Sequence, residues 1–202
     1  LVNNYKTVKE LLLKINKNKG DSIMKNGKGD EYLPFNLDKM VTNVVKLLKQ
    51  NGLTVSAAES CTGGLISELI TSVSGASSVF ELGLCTYSER IKSEFLGVPE
   101  DEIKKYGVVS SQVALSMVRG LKSRSGADVC VSVTGIAGPD GGTEETPVGT
   151  VYLGFDIMGR QFVKLPDLST LADKSRRNIR YAAAAFAFET IENALMEANQ
   201  SE

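Results

Sequence analysis

The sequence predicts an α/β protein: a three-layer α/β/α sandwich, built as a single domain behind an N-terminal extension. Three observations predict it. Short β-rich apolar runs alternate along the chain with stretches whose apolar residues recur at helical spacing. Clusters of glycine, serine and asparagine separate the two kinds of segment. A chain of 202 residues with 42% hydrophobic and 23% charged residues has the size and composition of one globular domain, able to bury roughly 70% of its unfolded surface.

Residues 1–36 stand apart. Tyr5, Val8, Leu11, Leu12 and Ile15 fit a short amphipathic helix, and Asn16–Asp30 reads as a Lys/Asn/Gly-rich linker. The segment carries seven lysines against four acids, a net of +3, which suits a solvated extension. The main domain, 37–202, opens with a helix capped by Asn36 or Asp38, carrying Met40, Val44, Val45, Leu47 and Leu48 and ended by Asn51-Gly52. Leu53–Ala57 reads as the first strand. Glu59-Ser60-Cys61-Thr62-Gly63-Gly64 then turns into a helix through Leu65, Ile66, Leu69 and Ile70, broken at Ser74–Ser78. Val79–Tyr87 is a second strand, and Ser88 caps the helix Glu89–Leu96. A turn at Val108–Ser110 leads to an amphipathic helix through Val113, Leu115, Met117, Val118 and Leu121. Val129–Val133 reads as a buried strand, and Thr150–Ile157 pairs through a turn at Met158-Gly159-Arg160 with Gln161–Leu165. A last helix runs from about Ser169 to near Ala198, with the small residues Ala182–Ala185 suited to close packing.

Composition excludes several chemistries. The chain has no histidine, so Ser-His-Asp and Cys-His catalysis and histidine-ligated metal sites are excluded. Cys61, Cys85 and Cys130 lack C-x-x-C spacing and read as reduced thiols, pointing to a cytoplasmic protein without a zinc knuckle. The formal net charge of −1 gives no general attraction to nucleic acid or to a membrane surface. No apolar run reaches the length of a membrane span, and no leader-type segment stands at the start.

The segment hardest to explain as packing is Thr134–Gly142, with four glycines and a proline in nine residues. It follows the carboxyl end of an apolar strand, where α/β sheets place ligands, and turns of this kind gather backbone N–H groups into anion sites. It matches neither the Walker A nor the G-x-G-x-x-G pattern. Without histidine, a hydrolase needs another base. Lys92 falls in the first turn of the helix capped by Ser88, where the dipole and any burial disfavour the ammonium. Tyr87 could relay its proton, and Ser77 or Ser78 could be the nucleophile; Cys61, at a helix start, is the rival. Glu59 is a base, an amide acceptor or a helix-end charge. Arg176 and Arg180, four apart, share a helix face and could grip a phosphate.

Taken together, Ala58–Gly64, Cys85-Thr86-Tyr87-Ser88 with Lys92, and the run Thr134–Thr150 resemble the CinA C-terminal family, over about Leu37 to Leu195. Its enzymatic members are nicotinamide-nucleotide amidases. The resemblance implies hydrolysis of the carboxamide of nicotinamide mononucleotide (NMN) to nicotinate mononucleotide and ammonia, by a cofactor- and metal-independent serine amidase. It puts the catalytic set on Ser77, Tyr87 and Lys92. It puts substrate contacts on Glu59, Thr134, Gly135, Gly138, Arg176 and Arg180, with loop amides around Thr134–Gly138 as the oxyanion donors. A catalytically silent, nucleotide-binding regulatory module is the alternative. The resemblance reaches only the C-terminal domain of two-domain members, so the activity of their larger N-terminal domain is not carried over. Neither a nucleic acid nor a membrane partner is expected, and a homo-oligomer is left open.

Overall fold

The structure, a computed structural model, describes residues 37–168, 171 and 173–199. The extension 1–36 lies outside the described residues. In chain order the elements are α1 (Leu37–Asn51), β1 (Val55–Glu59), α2 (Leu65–Thr71), a 3-10 turn (Ala76–Ser78), β2 (Phe80–Cys85), α3 (Glu89–Leu96), α4 (Glu100–Tyr106), α5 (Ser111–Ser125), β3 (Val129–Gly135), β4 (Val151–Ile157), β5 (Arg160–Lys164) and α6 (Arg176–Asn199). The five strands form one sheet in the order β2-β1-β3-β4-β5. β1 pairs parallel with β2 and with β3, while β4 runs antiparallel to β3 and to β5. The mixed sheet with helices on both faces is the expected sandwich.

Alternation along the strands builds two cores. Val55 and Ala57 of β1 and Val129, Val131 and Val133 of β3 face one side, where Val44, Leu48, Ile66, Ile70, Ile179 and Phe188 of α1, α2 and α6 cover them. Ala58 and Cys130 face the other side, against Met117, Val118 and Leu121 of α5, Leu96 of α3 and Ile103 of α4. The central strands are buried on both faces, which is why they read as continuous apolar runs. Each fully buried valine or leucine contributes about 1.5–3 kcal/mol of transfer free energy.

Several boundaries differ from the sequence expectation, each for a local reason. The first strand begins at Val55 instead of Leu53 because the Leu53 amide closes α1 on the Leu48 carbonyl, and the Thr54 amide and hydroxyl both donate to Asp128 Oδ2. The last helix starts at Arg176, not near Ser169: Asp173 accepts from the Ser175 amide and hydroxyl and from Asn178 Nδ2, which fixes a turn before the helix. Helix α4 was not expected. Its signal is a Pro99 entry, three acids in the first turn and Lys104 and Lys105 in the last, an arrangement that complements the helix dipole.

Two glycines set how closely α5 approaches its neighbours. A Cβ on Gly120 would overlap the backbone carbonyl of Leu96, at the end of α3, and one on Gly154 of β4 would overlap the Ala114 carbonyl of α5. Backbone meets backbone at both places, so no side chain can move aside. Gly120→Ala therefore forces α3 and α5 apart, and urea titration should show a loss of about 3 kcal/mol of unfolding free energy.

Candidate active site

The three parallel strands end on the same rim of the sheet, and the segments that follow them meet there. A cleft of about 470 Å³ lies on this rim, lined among others by Ser60, Cys61, Tyr87, Glu89, Lys92, Thr134–Gly138, Asp140 and Arg176. Each wall follows a different strand. The turn after β1 carries Ser60, the β2–α3 junction carries Tyr87 to Lys92, and the glycine-rich loop follows β3.

Lys92 is the organising side chain. Ser88 caps α3 through the Ile91 amide, as its sequence position suggested. Helical side chains point back toward the N-terminus, so Lys92 turns down to the residues just before its own helix. Its Nζ stands 2.8 Å from the Thr86 carbonyl oxygen, 3.4 Å from that of Tyr87 and 3.0 Å from Ser60 Oγ. The side chain is fully buried. Burial pushes the ammonium down to about 8, against smaller upward pulls from Cys61, Glu89 and Cys85. An ammonium in this position donates to all three oxygens. The free amine keeps both N–H groups on the two carbonyls and has its lone pair left for the Ser60 hydroxyl.

Ser60 is therefore the hydroxyl that the fold brings to the lysine. It directly follows buried β1, and its amide continues the pairing by donating to the Val133 carbonyl. Gly63 and Gly64, with φ of 60° and 93°, then turn the chain into α2. The strand–turn–helix arrangement lifts a nucleophile above the end of a sheet. Ser77, by contrast, lies at the opposite rim, exposed in the 3-10 turn that precedes β2. The six residues of β2, roughly 20 Å of chain, separate it from Lys92. Ser78 lies beside it, bonded to the Gly75 carbonyl. The assignment of the nucleophile to Ser77 is corrected on this geometry: a residue before a parallel strand cannot share a rim with residues after it.

The remaining expected residues divide in two. Thr134, Gly135, Gly138 and Arg176 line the cleft. Thr134 Oγ1 donates to the Val108 carbonyl. Arg176 donates to the Gly138 carbonyl at 2.9 Å and to the Tyr87 hydroxyl at 2.7 Å. Tyr87 thus lies at the cleft mouth, 59% exposed, with its hydroxyl on Arg176 and not on Lys92, so it is not placed as a proton relay. Glu59 and Arg180 do not line the cleft. The Glu59 carboxylate is buried and accepts from the Ile66 and Ser67 amides and the Ser67 hydroxyl, capping α2. Arg180 donates twice to the Thr62 carbonyl and so braces the Ser60 turn from behind. The expected loop donors also change, since the Ile136 amide is engaged with the Thr150 carbonyl.

Cys61 is a poor rival to Ser60. Burial pushes its thiol up to about 11, whereas a reactive cysteine needs a depressed value. Among the described residues, no group of three or more Cys, Asp or Glu side chains is arranged to hold a metal ion, and no helix is long and apolar enough to cross a membrane.

The depressed Lys92 pKa also makes a stability statement. The unfolded lysine titrates at its ordinary value of 10.5 and the folded one at about 8, so between these values the unfolded chain holds more protons and stability rises with pH. The gain is absent below about 8 and complete above 10.5. Relative to Lys92→Met, wild-type unfolding free energy in urea should rise by about 3 kcal/mol across that window.

Comparison with known proteins identifies the family and the fold. Residues 37–195 match the family model of the CinA C-terminal domain. The chain is 45% identical over 153 residues to a CinA-like protein of Kosmotoga olearia, covering 76% of this chain and 36% of that protein. It is 43% identical over 175 residues to a CinA-like protein of Thermotoga neapolitana, covering 86% of this chain and 42% of that one. The chain thus spans less than half the length of these relatives. Among solved structures, a competence/damage inducible protein of Agrobacterium tumefaciens superposes with a TM-score of 0.73 at 36% identity, over 82% of this chain and 99% of that one. A CinA superfamily protein of Klebsiella pneumoniae superposes with a TM-score of 0.75 at 25% identity, over 81% and 99%. With a family model spanning nearly the whole described domain and relatives above 40% identity, the chain belongs to the CinA family through its C-terminal domain.

Proposed function

We propose that the protein is an amidohydrolase that removes the carboxamide nitrogen of NMN, with Ser60 as nucleophile and Lys92 as its base. The observation that carries this reading is the 3.0 Å separation of Lys92 Nζ from Ser60 Oγ, with the other two hydrogen-bond directions of the amine on the Thr86 and Tyr87 carbonyls. A pKa of about 8 means that freeing the amine at pH 7 costs roughly 1.4 kcal/mol, against roughly 5 kcal/mol for an ordinary lysine.

In this reading Ser60 Oγ attacks the carboxamide carbon as its proton passes to Lys92 Nζ. The tetrahedral adduct then breaks its C–N bond, and Lys92 returns the proton to the departing nitrogen, which leaves as ammonia. A water molecule attacks the resulting ester while Lys92 accepts its proton, and the bond to Ser60 breaks as the hydroxyl is restored. Among the described residues, the backbone of the turn leaves the Cys61 and Thr62 amides unused, Gly63 and Leu65 being engaged with the Ser60 and Thr62 carbonyls. The amide of the residue after a nucleophile is a natural oxyanion donor, of a kind worth about 3–4 kcal/mol. Arg176 supplies the positive charge for the 5′-phosphate at the cleft mouth.

Ammonia release from NMN tests the reading. Ser60→Ala should lower kcat by about 10³-fold or more, whereas Ser77→Ala and Cys61→Ala should retain turnover. A wild-type protein that binds NMN without releasing ammonia would instead be a nucleotide-binding module. The acidic limb of the kcat/KM profile should rise to a plateau with an apparent pKa near 8, following the free amine of Lys92. Lys92→Arg, which cannot deprotonate, should lose that limb together with nearly all activity. Retention of activity by Lys92→Arg would rule out the base assignment.

A further inference from the structure

The cleft holds two acidic side chains that the mechanism does not use. Glu89 opens α3 on the wall that follows β2, and Asp140 lies in the glycine-rich loop that follows β3. Since β1 lies between β2 and β3 in the sheet, the two carboxylates flank the Ser60 turn from either side. Among the described residues neither has an ion-pair or hydrogen-bond partner, although the nearby surface acid Glu94 is paired with Arg90. The cation of the cleft mouth does not neutralise them, because Arg176 donates to two neutral oxygens, those of Gly138 and Tyr87. Glu89 also lies close enough to Lys92 to pull its pKa upward, which puts its charge within reach of the reaction centre.

The cleft thus holds Ser60 and Lys92 at its base, the carboxylates of Glu89 and Asp140 on its two flanks and Arg176 at its mouth, and once Lys92 is the free amine the two carboxylates face a single cation. A ligand that matches this pattern carries its amide inward, a cation in the middle and an anion outward. We propose that Glu89 and Asp140 are specificity-determining residues that hold the positively charged pyridinium ring of the substrate and so select the oxidised, cationic nucleotide over its neutral dihydropyridine form. This rests on the amidase reading and adds to it a basis for discrimination. The oxidised and reduced nucleotides share carboxamide, ribose and phosphate and differ in the formal charge of the ring. Only a group that senses that charge separates them, and the exposed carboxylates of Glu89 and Asp140, which line the cleft, are such groups.

The test uses the Ser60→Ala protein, which stops turnover, and titration calorimetry with NMN and with its reduced form, NMNH. The Ser60→Ala protein should bind NMN more tightly than NMNH. Adding Glu89→Gln and Asp140→Asn together should weaken NMN by about tenfold or more while changing NMNH by less than about twofold. Each single substitution should shift the NMN/NMNH ratio in the same direction by a smaller factor. Equal loss for both ligands, or an unchanged ratio, overturns the proposal and leaves the amidase reading standing. Failure of the Ser60→Ala protein to bind either nucleotide overturns the amidase reading, and the specificity proposal with it.

Discussion

The site depends on keeping one primary amine out of water while giving it two carbonyl oxygens. Lys92 is fully buried in a helix that begins immediately after an edge strand. An isolated buried ammonium costs several kcal/mol, and the ordinary response is a lowered pKa or a partnering carboxylate. Here the partners are backbone carbonyls. They orient both protonation states without pinning the group as a cation, as an ion pair would. In a chain without histidine, this arrangement brings one amine down to a pKa of about 8, closer to neutrality than an ordinary lysine.

The surrounding architecture serves that arrangement. Parallel pairing of β1 with β2 and β3 brings the Ser60 turn, the start of α3 and the glycine-rich loop to one rim. Glu59 anchors the start of α2, Ser88 caps α3, and the close approach of α5 to the end of α3 at Gly120 holds the lysine-bearing helix down. The antiparallel hairpin of β4 and β5 extends the sheet on the far side of β3 and contributes no lining to the cleft.

Much of this could be read from the chain. The sandwich, the cap at Ser88, the importance of Lys92 and the position of the glycine-rich loop all follow from local patterns: apolar periodicity, capping chemistry and turn residues. The serine that partners Lys92, the proposed nucleophile, could not be reached the same way. Ser77 is close to Tyr87 in sequence, but the intervening strand carries it to the opposite rim, whereas Ser60 lies 32 residues from Lys92 and is its neighbour in space. The signal for Ser60 was the strand–turn–helix context of Ala58–Gly64, and only strand order turns that context into proximity. Glu59 and Arg180 show a related limit. A charged residue beside a site reads the same from sequence whether it faces the cleft or, as here, braces the backbone that forms it.

Arg176 and Arg180 lie four residues apart on α6, just over one turn and about 6 Å along its axis. The first grips the glycine-rich loop and Tyr87, the second the turn that carries Ser60. The C-terminal helix therefore acts as a calliper whose jaw separation is set by its own pitch. Insertions in the segment before Arg176 leave that gauge unchanged, while gaining or losing a single residue between the two arginines rotates one jaw by about 100° and releases a wall of the pocket. The shape of the cleft at one end of the sheet is in this way encoded in the register of a helix at the other end of the chain.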